Sequence, residues 1–280
     1  MPSTFVALNR RRLASLALVA VVGAAIVAPG AAVATTVVID EAGLARYESA
    51  MVSALNADRT SRGLVPVRVD SRLMEIARAR SDDMVAKDYF SHTQPDGQKV
   101  FDILNDRNVT WYGAGEIIAW NSNSMDSTVS AANRDWMESP GHKAIIVSTT
   151  YNYVGVGLAI DPVSGHKLWT AVYLKGPDRT AARATVYTPR VVSSPTATTR
   201  RTKVVWTGYD PRLVVLTSGL RSYTVQRRVD GGPWSTSLSS TTLRYAYYNL
   251  TVGHRYEFRV SARDRAGNRG AWVTRVIDLR

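Results

Sequence analysis

Helical hydrophobic spacing dominates the first part of this chain and paired apolar strands close it, and that order settles most of what it can fold into. Leu44, Tyr47, Met51 and Leu55 recur at helical spacing, as do Leu73, Ile76, Ala77, Arg80 and Met84, and then Val129, Ala132 and Trp136. A short helix through Val100, Ile103 and Leu104 and a strand over 113–120 fall between them. Asp70 reads as a helix N-cap, Gly63 followed by Pro66 as a helix end, and Pro95-Asp96-Gly97 as a turn. Residues 153–160 and 167–174 are apolar strands joined through Asp161-Pro162-Val163-Ser164-Gly165, a hairpin signature. Helices come first and paired strands last, so the expected class is α+β, an antiparallel sheet covered by helices. From Val204 on, short alternating stretches around Trp206, Tyr223, Val225, Tyr256, Phe258, Val260 and Trp272 predict a second, all-β sandwich.

With no cysteine in 280 residues, disulfides, thiolate nucleophiles and Cys-ligated zinc are excluded, and both cores must hold by packing. Arg10, Arg11 and Arg12 precede an apolar run over 13–28, then Pro29-Gly30 and the small-x-small sequence Ala32-Val33-Ala34. Residues 1–34 therefore read as a signal peptide cleaved before Thr35. A retained anchor is the alternative, because no charge appears between Leu13 and Ile39. An exported, cysteine-free chain suits a bacterial surface or medium.

Charge divides the mature chain. Residues 35–175 hold 14 basic and 17 acidic residues, whereas 176–280 hold 18 and 6. Between the expected domains at 35–175 and 202–280, residues 176–201 are rich in Pro, Thr, Ser and Arg and read as a linker able to donate a first strand.

Of four histidines, His166 and His254 sit at turns, where a solvated imidazole is the default. His92 and His142 fall in breaks between elements, in Phe90-Ser91-His92-Thr93 and Ser139-Pro140-Gly141-His142. Glu116 interrupts the apolar run 114–120 and must find a partner, a cleft or solvent. Gly155-Val156-Gly157 lacks the third glycine and the following helix of a dinucleotide loop.

These motifs, with Leu55-Asn56-Ala57-Asp58-Arg59, Gly63-Leu64-Val65-Pro66, Phe90-Ser91-His92, Gly115-Glu116 and Trp136 before Ser139-Pro140-Gly141-His142, resemble the bacterial branch of the CAP (SCP) superfamily over residues 44–174. The resemblance implies an α-β-α sandwich with a cleft lined by His92, Glu116 and His142. Two departures stand out: Ile117 and Ile145 occupy positions where the family usually carries asparagine, so amides that would steady the carboxylate or imidazole are missing. Glu138 is one position early for the second acid of many eukaryotic members.

Three uses of the trio are open. His92, His142 and Glu116 could hold a divalent metal such as zinc with a free coordination position. Glu116 could be the catalytic base of a metal-dependent hydrolase. Or the three groups form a polar cleft used for binding or stability. In the second domain, Trp206, Tyr223-Thr224-Val225 and the run 250–260 resemble a fibronectin type III module, an immunoglobulin-like sandwich. With Tyr256, Phe258 and Val260 inward, Arg255, Arg259 and Arg263 share the outer face and Arg228 extends it, a surface suited to an anionic cell-envelope polymer or lipid. Nucleic acid is not expected outside the cell. The preferred expectation is a secreted, envelope-associated, non-enzymatic binding or attachment protein; the alternative is the hydrolase.

Overall fold

A computed structural model describes residues 41–280; the expected leader and its cleavage site lie outside the described residues. The described residues form one compact unit. Among the described residues no helix is long and apolar enough to cross a membrane.

In the first half, α1 (Glu41–Thr60), α2 (Ser71–Ala86), α3 (Val100–Asp106), α4 (Met125–Glu138) and α5 (Pro140–Ile146) surround a sheet of β1 (Arg68–Val69), β2 (Gly113–Asn121), β3 (Tyr153–Ile160) and β4 (Lys167–Lys175). The strand order is β1-β3-β4-β2, with the three long strands antiparallel and β2 at an edge. Met51, Leu55, Ile117, Trp136, Val154, Val156 and Trp169 form the core on one side of the sheet, under α1, α4 and α5. Leu73, Ile76, Ala77, Leu104, Val172 and Leu174 form the core on the other, under α2 and α3. This is the expected α-β-α layering.

The local signals are where the sequence puts them. Asp70 caps α2, its side chain accepting from the Arg72 N–H. Asp161 opens the β3–β4 turn, and Gly165 adopts a left-handed conformation there. Gly155 and Gly157 are packing residues: a Cβ on Gly155 would lie 2.1 Å from the Leu73 carbonyl carbon, and one on Gly157 2.2 Å from the Arg78 nitrogen. Two glycines on the α2 face of β3 thus let the helix backbone rest directly on the strand. One expectation changes: His142 lies inside α5, because Pro140 supplies the fixed φ of a first helical position.

The second half holds two four-stranded sheets. Strands β5 (Arg183–Val186), β6 (Arg190–Thr196), β7 (Thr199–Tyr209) and β10 (Tyr245–Thr251) form one, in the order β10-β7-β5 with β6 also on β7. Strands β8 (Leu220–Val229), β9 (Ser235–Thr241), β11 (Arg255–Asp264) and β12 (Val273–Asp278) form the other, in the order β12-β11-β8-β9. Ala182, Val186, Trp206, Tyr223, Val225, Phe258 and Val260 fill the space between them. The segment 176–201, expected as a linker, therefore carries two strands and buries Ala182 and Val186; its few apolar side chains are spaced to reach the core. The two halves also meet directly. Asn152 Nδ2 donates to the Gly176 and Val215 carbonyls, and Asn268 Nδ2 donates to the Asp178 carbonyl.

Candidate functional site

The site begins with a charge in the wrong place. Arg80 continues the buried stripe of α2 after Leu73, Ile76 and Ala77, and its side chain is 0% exposed. A buried guanidinium needs an anion and acceptors. On edge strand β2, side chains alternate, so Glu116 and Ile118 face α2 while Ile117 enters the opposite core. Glu116, with a side chain 3% exposed, meets the need: Arg80 Nε donates to Glu116 Oε1 at 2.9 Å. Arg80 also donates to Tyr89 Oη at 2.6 Å and to the Ser91 carbonyl at 2.8 Å, which fastens the 87–99 loop to the helix.

That loop carries His92, whose Nδ1 donates to Glu116 Oε2 at 2.8 Å while 53% of the side chain stays exposed. The loop is braced at its far side by the expected turn, with Gly97 left-handed and Gln94 and Gln98 hydrogen-bonded across it. Both Glu116 oxygens are therefore engaged, and His92 has only Nε2 left to meet a ligand. Burial, and then the nearby His92 imidazole, hold the His142 pKa below the ordinary histidine range. For Arg80, burial pulls the pKa down but the Glu116 hydrogen bond and charge outweigh it, and the net direction is up.

A cleft of about 310 Å³ opens over this edge, lined by His92, Lys99, Phe101, Gly115, Glu116, Ile145 and Tyr151 among others. His142 lies one turn from Ile145 but is not part of the lining. Gly115 lets Tyr151 and Ile145 close on β2: a Cβ there would stand 3.1 Å from Tyr151 Oη. The departures at 117 and 145 now have a physical account. Ile117 points away from Glu116, so an amide there could not hold it, and Ile145 is an apolar wall. Glu138 is exposed at the end of α4 and takes no part. Ser91 Oγ accepts from the Thr93 N–H, an ordinary turn contact.

The trio does not fit a three-ligand metal centre as it stands, because Glu116 is committed to Arg80 and His92. Among the described residues, the group of ligand atoms lying within 4.8 Å of one another is instead Asp178, Asp210 and Asp264, where the two halves meet. These are hard oxygen donors, the kind calcium or magnesium takes. None of the three makes an ion pair among the described residues, and Asp210 Oδ1 is buried without a hydrogen-bond partner.

The family model of the cysteine-rich secretory protein family, CAP, matches residues 52–173. This half of the chain is a CAP domain. Its bacterial relatives include the uncharacterized protein YkwD of Bacillus subtilis, 34% identical over 128 residues, 46% of this chain and 47% of that one. The uncharacterized membrane protein YlbC of Bacillus subtilis is 32% identical over 111 residues, 40% of this chain and 31% of that one. This chain thus matches less than half the length of either. Among solved structures, an extracellular protein containing an SCP domain from Bacillus anthracis is similar at 26% identity and a TM-score of 0.42, covering 48% of this chain and 41% of that one. In the CAP domain the cleft Glu and first His meet as the motifs implied, and Arg80 is the member that motif reading missed. Its signal was a cation on an apolar helical stripe.

In the second half, Tyr256, Phe258 and Val260 are buried and Arg255 and Arg263 exposed, but the outer face is not simply basic. Glu257 lies between Arg255 and Arg259 and pairs with Arg228 at 2.8 Å. Arg259 donates to Gln226 Oε1 and lies 4.2 Å and 4.5 Å over the rings of Trp234 and Trp272. Arg228 and Arg259 are thus spent on neighbours, and the four arginines do not act as one free patch. His254 pairs with Asp230, and His166 packs against Trp120 with ring centroids 4.6 Å apart and the planes tilted by 40°.

Proposed function

We propose that this chain is an exported, envelope-associated protein whose CAP cleft binds a ligand without turning it over. The observation that carries this reading is the double engagement of Glu116. A carboxylate held by buried Arg80 on one oxygen and by His92 on the other is a fixed structural anion, and serving as metal ligand or general base would cost it at least one of those contacts. What remains to meet a ligand is His92 Nε2, Lys99 and a wall of Phe101, Ile145 and Tyr151. That lining suits a ligand with an apolar body and an acceptor or anionic group.

The second domain is a fibronectin type III-like attachment module in this reading. Its strand orders support that, and so does Tyr256, whose hydroxyl bonds the Thr251 backbone N–H and carbonyl five residues upstream, a tyrosine corner. Export rests on the leader sequence. The metal-dependent hydrolase remains the second reading, favoured by one observation: burial and the nearby His92 push the His142 pKa down, towards the neutral form in which an imidazole can ligate. Calorimetric titration of the mature chain with zinc separates them. The binding reading expects no tight uptake, with His92→Ala and His142→Ala indistinguishable from wild type; tight uptake abolished by either change, together with turnover of a substrate, supports the hydrolase.

A further inference from the structure

The charge of the second domain is distributed differently from what the sequence pattern implied. The sheet bearing Arg228, Arg255, Arg259 and Arg263 also holds Glu257, Asp264 and Asp278, and Arg228 is neutralised by Glu257. The opposite sheet contains Arg183, Arg190, Arg200, Arg201 and Lys203, and none of its four strands contains a carboxylate. None of those five cations makes an ion pair among the described residues.

On the outer face of this sheet Tyr247 stands opposite Lys203, and Lys203 in turn opposite Arg190, forming a row across β10, β7 and β6. Tyr245 stands opposite Val205, and Asn249 opposite Arg201. Tyr245 and Tyr247 are 48% and 45% exposed, with ring centroids 5.7 Å apart at 77°. Lys203 Nζ lies 4.6 Å from the Tyr245 ring, and the Arg201 guanidinium 4.6 Å from the Tyr247 ring. A hollow of about 510 Å³ continues the strip over Tyr187, Arg190, Val192 and Lys203. The cations thus steady two exposed aromatic rings on a rigid sheet while their own charge goes unanswered.

We infer that the outer face of β6, β7 and β10 binds an anionic polysaccharide, with Arg190, Arg201 and Lys203 pairing its charges and Tyr245 and Tyr247 stacking on its sugar rings. The inference rests on the attachment reading above and moves the contact surface to the other sheet. Charge complementarity selects the polyanion, and the pair of fixed rings selects a sugar chain over a bare phosphate polymer or lipid surface.

The test uses the mature chain, with polygalacturonate as probe, uncharged dextran as its control and phosphatidylglycerol vesicles as the competing class. A cation near an anionic surface contributes about fivefold to association, so R201S/K203S should weaken polygalacturonate binding by about 25-fold. Y245S/Y247S should weaken it without changing its salt dependence, and R255S/R263S should leave it within about twofold. Melting temperatures serve as a check that these exposed substitutions leave the fold intact. Binding lost equally with R255S/R263S, or retained in Y245S/Y247S, overturns this surface while leaving attachment standing. Wild-type binding to vesicles but not to polygalacturonate overturns the polysaccharide and keeps attachment; binding to neither overturns both.

Discussion

Replacing Arg80 by methionine tests the buried chain of contacts from α2 to His92. Arg80 is 0% exposed and the Glu116 side chain 3%, so the change leaves a carboxylate almost out of water with a neighbouring imidazole as its remaining partner. Stranding one member of a buried pair costs about 3–5 kcal/mol. For a folded unit of this size a loss of 1 kcal/mol lowers Tm by about 2–4 °C, so R80M should melt about 10 °C below wild type. E116Q alone strands the guanidinium and should cost a similar amount. The double variant R80M/E116Q removes both charges. It still leaves Tyr89 Oη and the Ser91 carbonyl without their donor, at about 1 kcal/mol each. The double should therefore lose about 2 kcal/mol, well short of the sum of the singles. Urea unfolding of the mature chain, followed by tryptophan fluorescence and far-ultraviolet circular dichroism together, gives these values and shows whether the transition is two-state. R80M within about 1 kcal/mol of wild type, or a double variant equal to the sum, would mean that Arg80 and Glu116 are not an interdependent buried pair.

Three further outcomes are expected. Burial and His92 lower the His142 pKa in the folded protein, so the unfolded chain takes up the proton first. Stability should therefore fall as pH drops below about 6.5, the ordinary histidine value, and His142→Ala should lose that part of the slope in denaturation midpoints measured from pH 8 to 5. Gly157→Ala puts a methyl group 2.2 Å from the Arg78 nitrogen, with backbone on both sides to absorb it, and should cost at least about 3 kcal/mol or abolish folding, read by yield and by circular dichroism. Burial, then the neighbouring Asp178 and Asp264 charges, raise the Asp210 pKa. A raised carboxylate pKa makes ionisation unfavourable to folding, so in chelator Asp210→Asn should raise the melting temperature at pH 7 and the gain should vanish as the pH approaches 4.

The layering of the first half was legible because its helices carry apolar stripes and its last strands are joined by an unmistakable turn. His92 and Glu116 were legible as a pair only through motif resemblance; nothing in their spacing of 24 residues brings them together. Arg80 was readable in principle, since an arginine on the stripe of Leu73, Ile76 and Ala77 must be neutralised by something equally buried, and Glu116 was the acid left over in an apolar strand. The tertiary contact that joined the two lies outside what periodicity encodes. In the second half alternation correctly sent Tyr256, Phe258 and Val260 inward, but same-face neighbours came out wrong in effect. Glu257 is invisible as a neutraliser until β8 sets Arg228 opposite it. The segment 176–201 was allowed one strand and carries two, at 183–186 and 190–196: the first is only four residues long, and the second is an exposed edge strand whose Ser, Thr and Pro have the composition of a linker.

The proposed role of the cleft depends on Glu116 being held rather than free. A crystal structure of the mature chain grown with zinc at millimolar concentration reads this directly. Arg80 Nε, Glu116 and His92 Nδ1 should keep their continuous hydrogen-bonded chain, with no ion between the two imidazoles. A Glu116 carboxylate swung off Arg80 onto a zinc ion shared with His92 and His142 would contradict it.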